Sequence, residues 1–156
     1  MNASCGRAVH DLPAFFGGDW SLRRVISDPD GGRLGEFEGS ARFVPDEDVL
    51  HYEERGSLRL GEHRGPAFRA LRYHVTGPGR AHVHFDYGDF FHALDLREGY
   101  CRAEHPCRDD LYRGEFGVVD DDTWWQRWVV SGPTKNHVLC TEFSRGRTPP
   151  GPEGTT

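Results

Sequence analysis

Long apolar runs are missing from this chain, as are CxxC pairs, clusters of Lys and Arg, and any sustained helical period beyond its first residues. Each absence excludes something. With no stretch approaching the ~20 apolar residues that a membrane helix needs, no transmembrane helix is expected. The N-terminus lacks a basic region followed by an apolar run, so export is not expected either and the chain reads as cytoplasmic. Four Cys, at positions 5, 101, 107 and 140, are too sparse for a secreted disulfide scaffold and read as reduced thiols. Lys and Arg number 19 against 25 Asp and Glu, a formal charge of −6, and the Arg residues are scattered among acids. A surface for nucleic acid or anionic membrane needs clustered cations, so neither partner is expected. The missing helical period excludes a parallel βαβ architecture.

Hydrophobic residues are also few, at 36%, but aromatics reach 12%, with four Trp and ten Phe at strand-like spacing. Large rings can build a core from few residues. Twenty Gly and ten Pro fall mostly between alternating segments, where an all-β chain needs its turns. The 156 residues fit one domain, expected over residues 8–146, with residues 1–7 and 147–156 as flexible termini.

Taken in order, Asp11 can cap and Pro13 can open a short apolar helix that Gly17-Gly18 ends. Alternating segments follow over residues 20–26, 36–44, 50–58, 69–75, 112–118, 124–130 and 138–145, separated by Gly-, Pro- and Asp-rich turns. Between the fourth and the eighth strands lies His82 to Cys107, which reads as a three-stranded meander. Its expected register sets Val83 opposite His92, Phe85 opposite Phe90, Leu94 opposite Ala103 and His92 opposite His105. Val83, Phe85, Phe90, Leu94 and Leu96 then share an apolar face, and Arg80, His82, His84 and Asp95 share the outer one. About ten sequential antiparallel strands with short turns favour an all-β, up-and-down barrel. Closure removes sheet edges and leaves an interior that can hold one small ligand.

The register leaves His92 and His105 side by side on an apolar face, where a purely structural core rarely puts imidazoles. Burial would keep such a ring neutral, able to act as a base or a ligand. His92, His105, Tyr112 and Glu54 are therefore the candidate catalytic residues. The plainer alternative is a pair bonded to backbone or to Tyr112 at the barrel rim. Glu54 is in phase with Leu50, Tyr52 and Leu58, and could project inward as an acid or an orienting partner. Tyr52, Tyr73, Phe85, Phe90, Leu94, Cys107, Phe116, Trp128 and Lys135 are candidate ligand-binding residues. His82 and His84 have metal-ligand spacing but fall on the outer face, and Asp120-Asp121-Asp122 lacks further spaced oxygens, so no metal is expected.

Gly18-Asp19-Trp20 at the start of the first strand and Arg145 at the end of the last resemble the Gly-x-Trp and basic pair of lipocalin-like barrels. In that calycin superfamily the Trp packs under the basic side chain, a cation over an indole face. Phe91-His92, Glu104-His105-Pro106-Cys107, Asp110-Leu111-Tyr112-Arg113-Gly114 and Trp128 to Lys135 resemble a small bacterial lipocalin-like family of unknown function. The resemblance implies a lipocalin-like barrel over nearly the whole chain. Nitrobindins, ten-stranded barrels that hold haem through a histidine, are also similar in layout, but Ser21-Leu22-Arg23-Arg24 replaces their glycine-rich opening.

These observations lead to a barrel that binds one small, largely apolar or aromatic molecule, with no cofactor. The alternatives are a cofactor-independent isomerase, cyclase or hydrolase using His92 or His105 for proton transfer, and a haem-binding barrel. A homodimer is compatible with the sequence.

Overall fold

The computed structural model describes residues 6–145; residues 1–5 and 146–156 lie outside it, and with them Cys5 and the expected C-terminal tail. One short helix, α1 (Leu12–Phe16), precedes ten strands: β1 (Gly18–Ser27), β2 (Arg33–Asp46), β3 (Val49–Leu60), β4 (His63–Gly77), β5 (Arg80–Phe85), β6 (Phe90–Asp95), β7 (Tyr100–Cys107), β8 (Asp110–Asp120), β9 (Thr123–Ser131) and β10 (Asn136–Ser144). They form one antiparallel up-and-down sheet in the order β6-β5-β4-β3-β2-β1-β10-β9-β8-β7. Pairing of β1 with β10 curls the sheet into a barrel that is closed by hydrogen bonds everywhere but between β6 and β7. The period-2 pattern puts Trp20 and Leu22, Phe37, Ala41 and Phe43, Leu50, Tyr52 and Glu54, and Trp124, Gln126 and Trp128 inside.

The helix seals one end. Asp11 Oδ1 accepts from the Ala14 N–H at 3.0 Å, and the Gly17 N–H donates to the Pro13 carbonyl at 2.9 Å. So capped, the single turn lays Leu12, Phe15 and Phe16 into the barrel. Phe16 stacks on Phe43 with centroids 4.6 Å apart and meets Trp124 edge-on at 5.0 Å. Trp20 Nε1 donates to the Phe16 carbonyl at 2.8 Å. The Arg145 guanidinium lies 4.1 Å from the Trp20 ring centroid and donates to the Gly17 carbonyl at 3.0 Å. The expected cation-over-indole seal is thus present. Gly6 and Arg7, expected in a frayed terminus, are instead tied down, to the Glu98 and Val118 carbonyls at 3.3 and 2.9 Å.

Two expectations for the meander fail. Val83 does pair with His92 and Arg80 with Asp95, but a bulge at Phe91 sets Phe90 opposite His84 rather than Phe85. Phe90 therefore points outward, 48% exposed, against the rings of His82 and His84, and Phe91 joins His92 inside. The β6–β7 ladder does not form, so His92 is not opposed to His105. The backbone groups that would start it are engaged elsewhere. Leu96 donates to the Gly79 carbonyl at 2.8 Å, its own carbonyl also takes the Val9 N–H at 2.9 Å, and the Gly99 carbonyl accepts from Val118 at 2.9 Å. Strand β4 also begins earlier than expected, because Gly61-Glu62 makes a two-residue turn that pairs Leu60 with His63. Among the described residues no helix is long and apolar enough to cross a membrane.

Candidate functional site

Away from the helix the barrel is different. Gly39 of β2, Gly56 of β3 and Ala67 of β4 are paired in a row facing inward, and a Cβ on Gly39 would come within 2.7 Å of the Gly56 Cα. Three adjoining strands thus give the inner wall one methyl group between them. Beside this bare stretch, Arg69 is opposite Glu54 in the ladder, hence inward, yet its side chain is 43% exposed. The Arg69 side chain is therefore reached by solvent at this end.

Below it lies a buried polar set. Glu54, 3% exposed, receives Arg24 through two hydrogen bonds of 2.7 and 3.0 Å and the Tyr52 hydroxyl at 2.5 Å. Arg24 Nε donates to Thr141 Oγ1 at 2.8 Å. Burial alone would raise the Glu54 pKa. The Arg24 hydrogen bonds and the charges of Arg69 and Arg24 outweigh it and hold the carboxyl down to about 2. Burial and the Glu54 charge together push the Tyr52 hydroxyl well up, and burial does the same to Tyr73. Glu54 is therefore an ionised, fully engaged counter-ion rather than a proton donor or acceptor near neutrality. Of the two roles expected for it, the orienting one fits.

His92 and His105 both meet the Phe91 ring edge-to-face, at 4.7 and 5.2 Å between centroids. His92 is 2% exposed, stacked on Phe116 at 5.0 Å and edge-on to Trp128 at 5.3 Å. Its Nδ1 lies 2.9 Å from the Ala93 carbonyl, an acceptor, so the neutral ring carries its proton there and Nε2 holds a lone pair. Burial lowers its pKa to about 4, against the raising effect of that bond, with Arg69 and His105 adding to the fall. A base that weak is poorly matched to proton transfer near pH 7. His105 is half-buried, touching Phe85 at 5.7 Å and Tyr112 at 6.1 Å.

Side chains fill the seam that the backbone leaves open. Tyr87 stacks on Phe85 at 5.3 Å and 1°, Phe85 on Phe91 at 4.5 Å and 19°, and Phe91 on Trp128 at 5.1 Å and 17°. This four-ring stack runs from the exposed Tyr87 to the buried indole. Trp128 can lie flat on the wall because its partner Gly114 has no side chain; a Cβ there would be 2.7 Å from the indole. A cleft of about 510 Å³ lies on the outside of the seam, lined by Asp95, Arg97, Glu98, Tyr100 and Cys101. It holds the solvated Arg97–Asp95 pair and none of the interior rings. Burial pushes the Cys101 thiol up to about 11, which makes it a poor nucleophile.

Of the expected residues, Tyr52, Tyr73, Leu94, Phe116, Trp128, Glu54 and His92 are buried inside. Phe85, His105 and Tyr112 are half-buried at the open end. Phe90, Cys107 and Lys135 do not belong with them. Phe90 is outside, Cys107 is exposed at the end of β7, and Lys135 is exposed in the β9–β10 loop, 3.9 Å from Asp110. Arg24, Arg69 and Phe91 are the interior residues that sequence reasoning passed over. Arg24 is in phase with Trp20 and Leu22, and the Gly61-Glu62 turn fixes Arg69 opposite Glu54, so both were readable. Nothing in the sequence announces the bulge at Phe91.

Haem requires a histidine nitrogen with open space before it for the porphyrin. Phe91, Phe116 and Trp128 lie within 5.3 Å of the His92 ring, and Phe85, Phe91 and Tyr112 crowd His105, so the residues present do not fit that group. Among the described residues no cluster of three or more His, Cys, Asp or Glu is arranged to hold a metal ion.

A model of a family of unknown function, DUF6314, matches residues 16–145. No curated protein sequence matches the chain. Among solved structures, the S-type phycobiliprotein lyase CPES from Guillardia theta is similar, with a TM-score of 0.62 and 7% identity over 86% of this chain and 90% of that one. A fluorescence-activating β-barrel designed de novo gives 0.49 and 17% over 87% and 98%, and the redesigned barrel mFAP1, bound to DFHBI, gives 0.45 and 13% over 84% and 95%.

Proposed function

The chain belongs to the DUF6314 family, and from its interior we propose that it binds one small, largely apolar or aromatic molecule in the open half of the barrel. The observation that carries this is the asymmetry of the interior. One end is packed solid by α1 and its ring cluster, while the other combines the bare wall of Gly39, Gly56 and Ala67 with an inward arginine that water reaches. The edges of the stacked Phe85, Phe91 and Trp128 rings give a ligand apolar, aromatic surface there, and His92 Nε2 and the Tyr112 hydroxyl are its polar contacts. The likeness to the lyase supports the barrel architecture. Proton transfer by His92 is the weaker alternative, because its lowered pKa leaves little basicity at neutral pH.

Occlusion tests the proposal. N-phenylnaphthylamine, a neutral probe that brightens in apolar surroundings, should bind the wild type. Ala67→Trp fills the bare wall and should abolish that signal, whereas Phe68→Trp, on the exposed outer face of the same strand, should not. Equal binding by the two folded variants would refute the site.

A further inference from the structure

We infer that the ligand of this barrel is an acid, an apolar or aromatic molecule whose carboxylate or kindred anionic group is received by Arg69. The inference rests on the binding reading above and narrows it to a charge class.

Glu54 is the one fully buried carboxylate among the described residues, and it faces two guanidiniums, whereas Asp110, in the inward phase of β8 at the rim, lies 3.9 Å from Lys135. Three hydrogen bonds engage Glu54 from below. Both oxygens take a bond from Arg24, and Oε1 also takes the Tyr52 hydroxyl. Arg24 in turn uses its Nε on Thr141, so Arg24, Glu54, Tyr52 and Thr141 form a closed, charge-neutral set. Arg69 is left over. Its Nη2 approaches Glu54 Oε1 only to 3.8 Å, beyond hydrogen-bonding distance, and that is its one ion-pair contact among the described residues.

An inward cation in a concave, largely apolar wall concentrates its field on whatever enters, far more than the same charge on a convex surface. The charge does reach the interior. It bears on the Tyr52 and Tyr73 hydroxyls and on His92, which packs against Phe91 and Trp128. Leu71 is the ladder partner of Phe85, and Arg69 lies two residues further along β4, so a molecule held against the edge of the ring stack has the guanidinium beside it. A planar fork of N–H donors matches the two oxygens of a carboxylate, and a cation entering the same space would meet Arg69 as a like charge. The net charge of −6 does not oppose entry of an acid at this mouth, because the two inward carboxylates, Glu54 and Asp110, each face a cation.

Two probes of nearly equal shape separate this inference from the reading beneath it: anilinonaphthalene sulfonate, an anion, and N-phenylnaphthylamine, which is neutral. Fluorescence titration of the full chain at low salt should show the anion binding at least about tenfold more tightly, each probe displacing the other. Arg69→Gln should reduce the preference to near unity while leaving the neutral probe's affinity within about twofold. Equal affinities in the wild type would overturn the acid inference and leave the binding reading standing. Failure of both probes to bind would overturn the two together. A preference that survives Arg69→Gln, or an anion that the neutral probe cannot displace, would overturn the assignment to Arg69. The wild-type ratio is decisive even if the variant fails to fold.

Discussion

Acidification should destabilise this barrel through one buried ring. His92 is neutral in the folded protein with a pKa near 4, against 6.5 for an ordinary histidine. Its folded pKa is depressed, so below 6.5 the unfolded chain takes up a proton that the folded one refuses, and stability falls as pH falls. With those two values, linkage gives a loss of about 2 kcal/mol between pH 7 and pH 5 and about 3 kcal/mol by pH 4. That is a large share of the ~5–15 kcal/mol by which a domain is normally stable. Burial is the cause, and only the bond to the Ala93 carbonyl opposes it. The assay is urea unfolding across this range for the wild type and for His92→Phe, a ring of similar outline that does not titrate. The variant forfeits the bond to Ala93 at every pH, but its stability should decline less steeply by the amounts given. Glu54 cannot imitate the effect: its lowered carboxyl pKa costs stability only as pH falls towards and below its ordinary 4.5, and that loss is common to the wild type and the variant. Parallel curves for the two proteins, or a His92 ring signal titrating near 6.5 by NMR, would refute the reasoning.

Other consequences are as direct. Glu54→Gln leaves the Arg24 guanidinium buried without its counter-ion and should lower stability by about 3–5 kcal/mol, whereas replacing Arg24 and Glu54 together by Leu should cost much less; urea midpoints compare them. Arg145→Ala removes the cation over Trp20 and the bond to Gly17, and should lower stability by about 1–3 kcal/mol and alter Trp fluorescence. In a Cys5→Ser background, Cys107 and Cys140 should react with a thiol reagent in the native state and Cys101 only on unfolding, as its burial and raised pKa require. Haemin titration should give no Soret band attributable to His92 or His105, and a histidine-dependent band would contradict the crowding around these rings.

What could be read in the sequence divides along one physical line. Alternation places Phe37, Ala41 and Phe43, or Tyr52 and Glu54, because side-chain direction in a strand is local. The Trp20–Arg145 seal is equally readable, since strand count fixes which ends meet. Phe90 and the His92–His105 pairing went wrong because a bulge is decided by the packing of a ring, and the β6–β7 ladder is lost to hydrogen bonds from residues 6–10, far away in sequence. Candidates built on phase alone, such as Tyr52, Tyr73 and Trp128, keep their inward positions. Arg69 heads the expected strand over residues 69–75, in phase with Leu71 and Tyr73, but its partner Glu54 is fixed only once the Gly61-Glu62 turn is recognised.

The missing ladder between β6 and β7 bears on how such a barrel can diversify. Where every strand pair is laced, the bore follows from strand number and shear, and changing it means inserting or sliding a strand. Here the bore along one line is set by the thickness of the rings of Phe85, Phe91 and Trp128. Point substitution at these three positions can widen or narrow the interior while all nine backbone ladders stay intact, so a lineage built on this plan can exchange its cargo without remaking its frame.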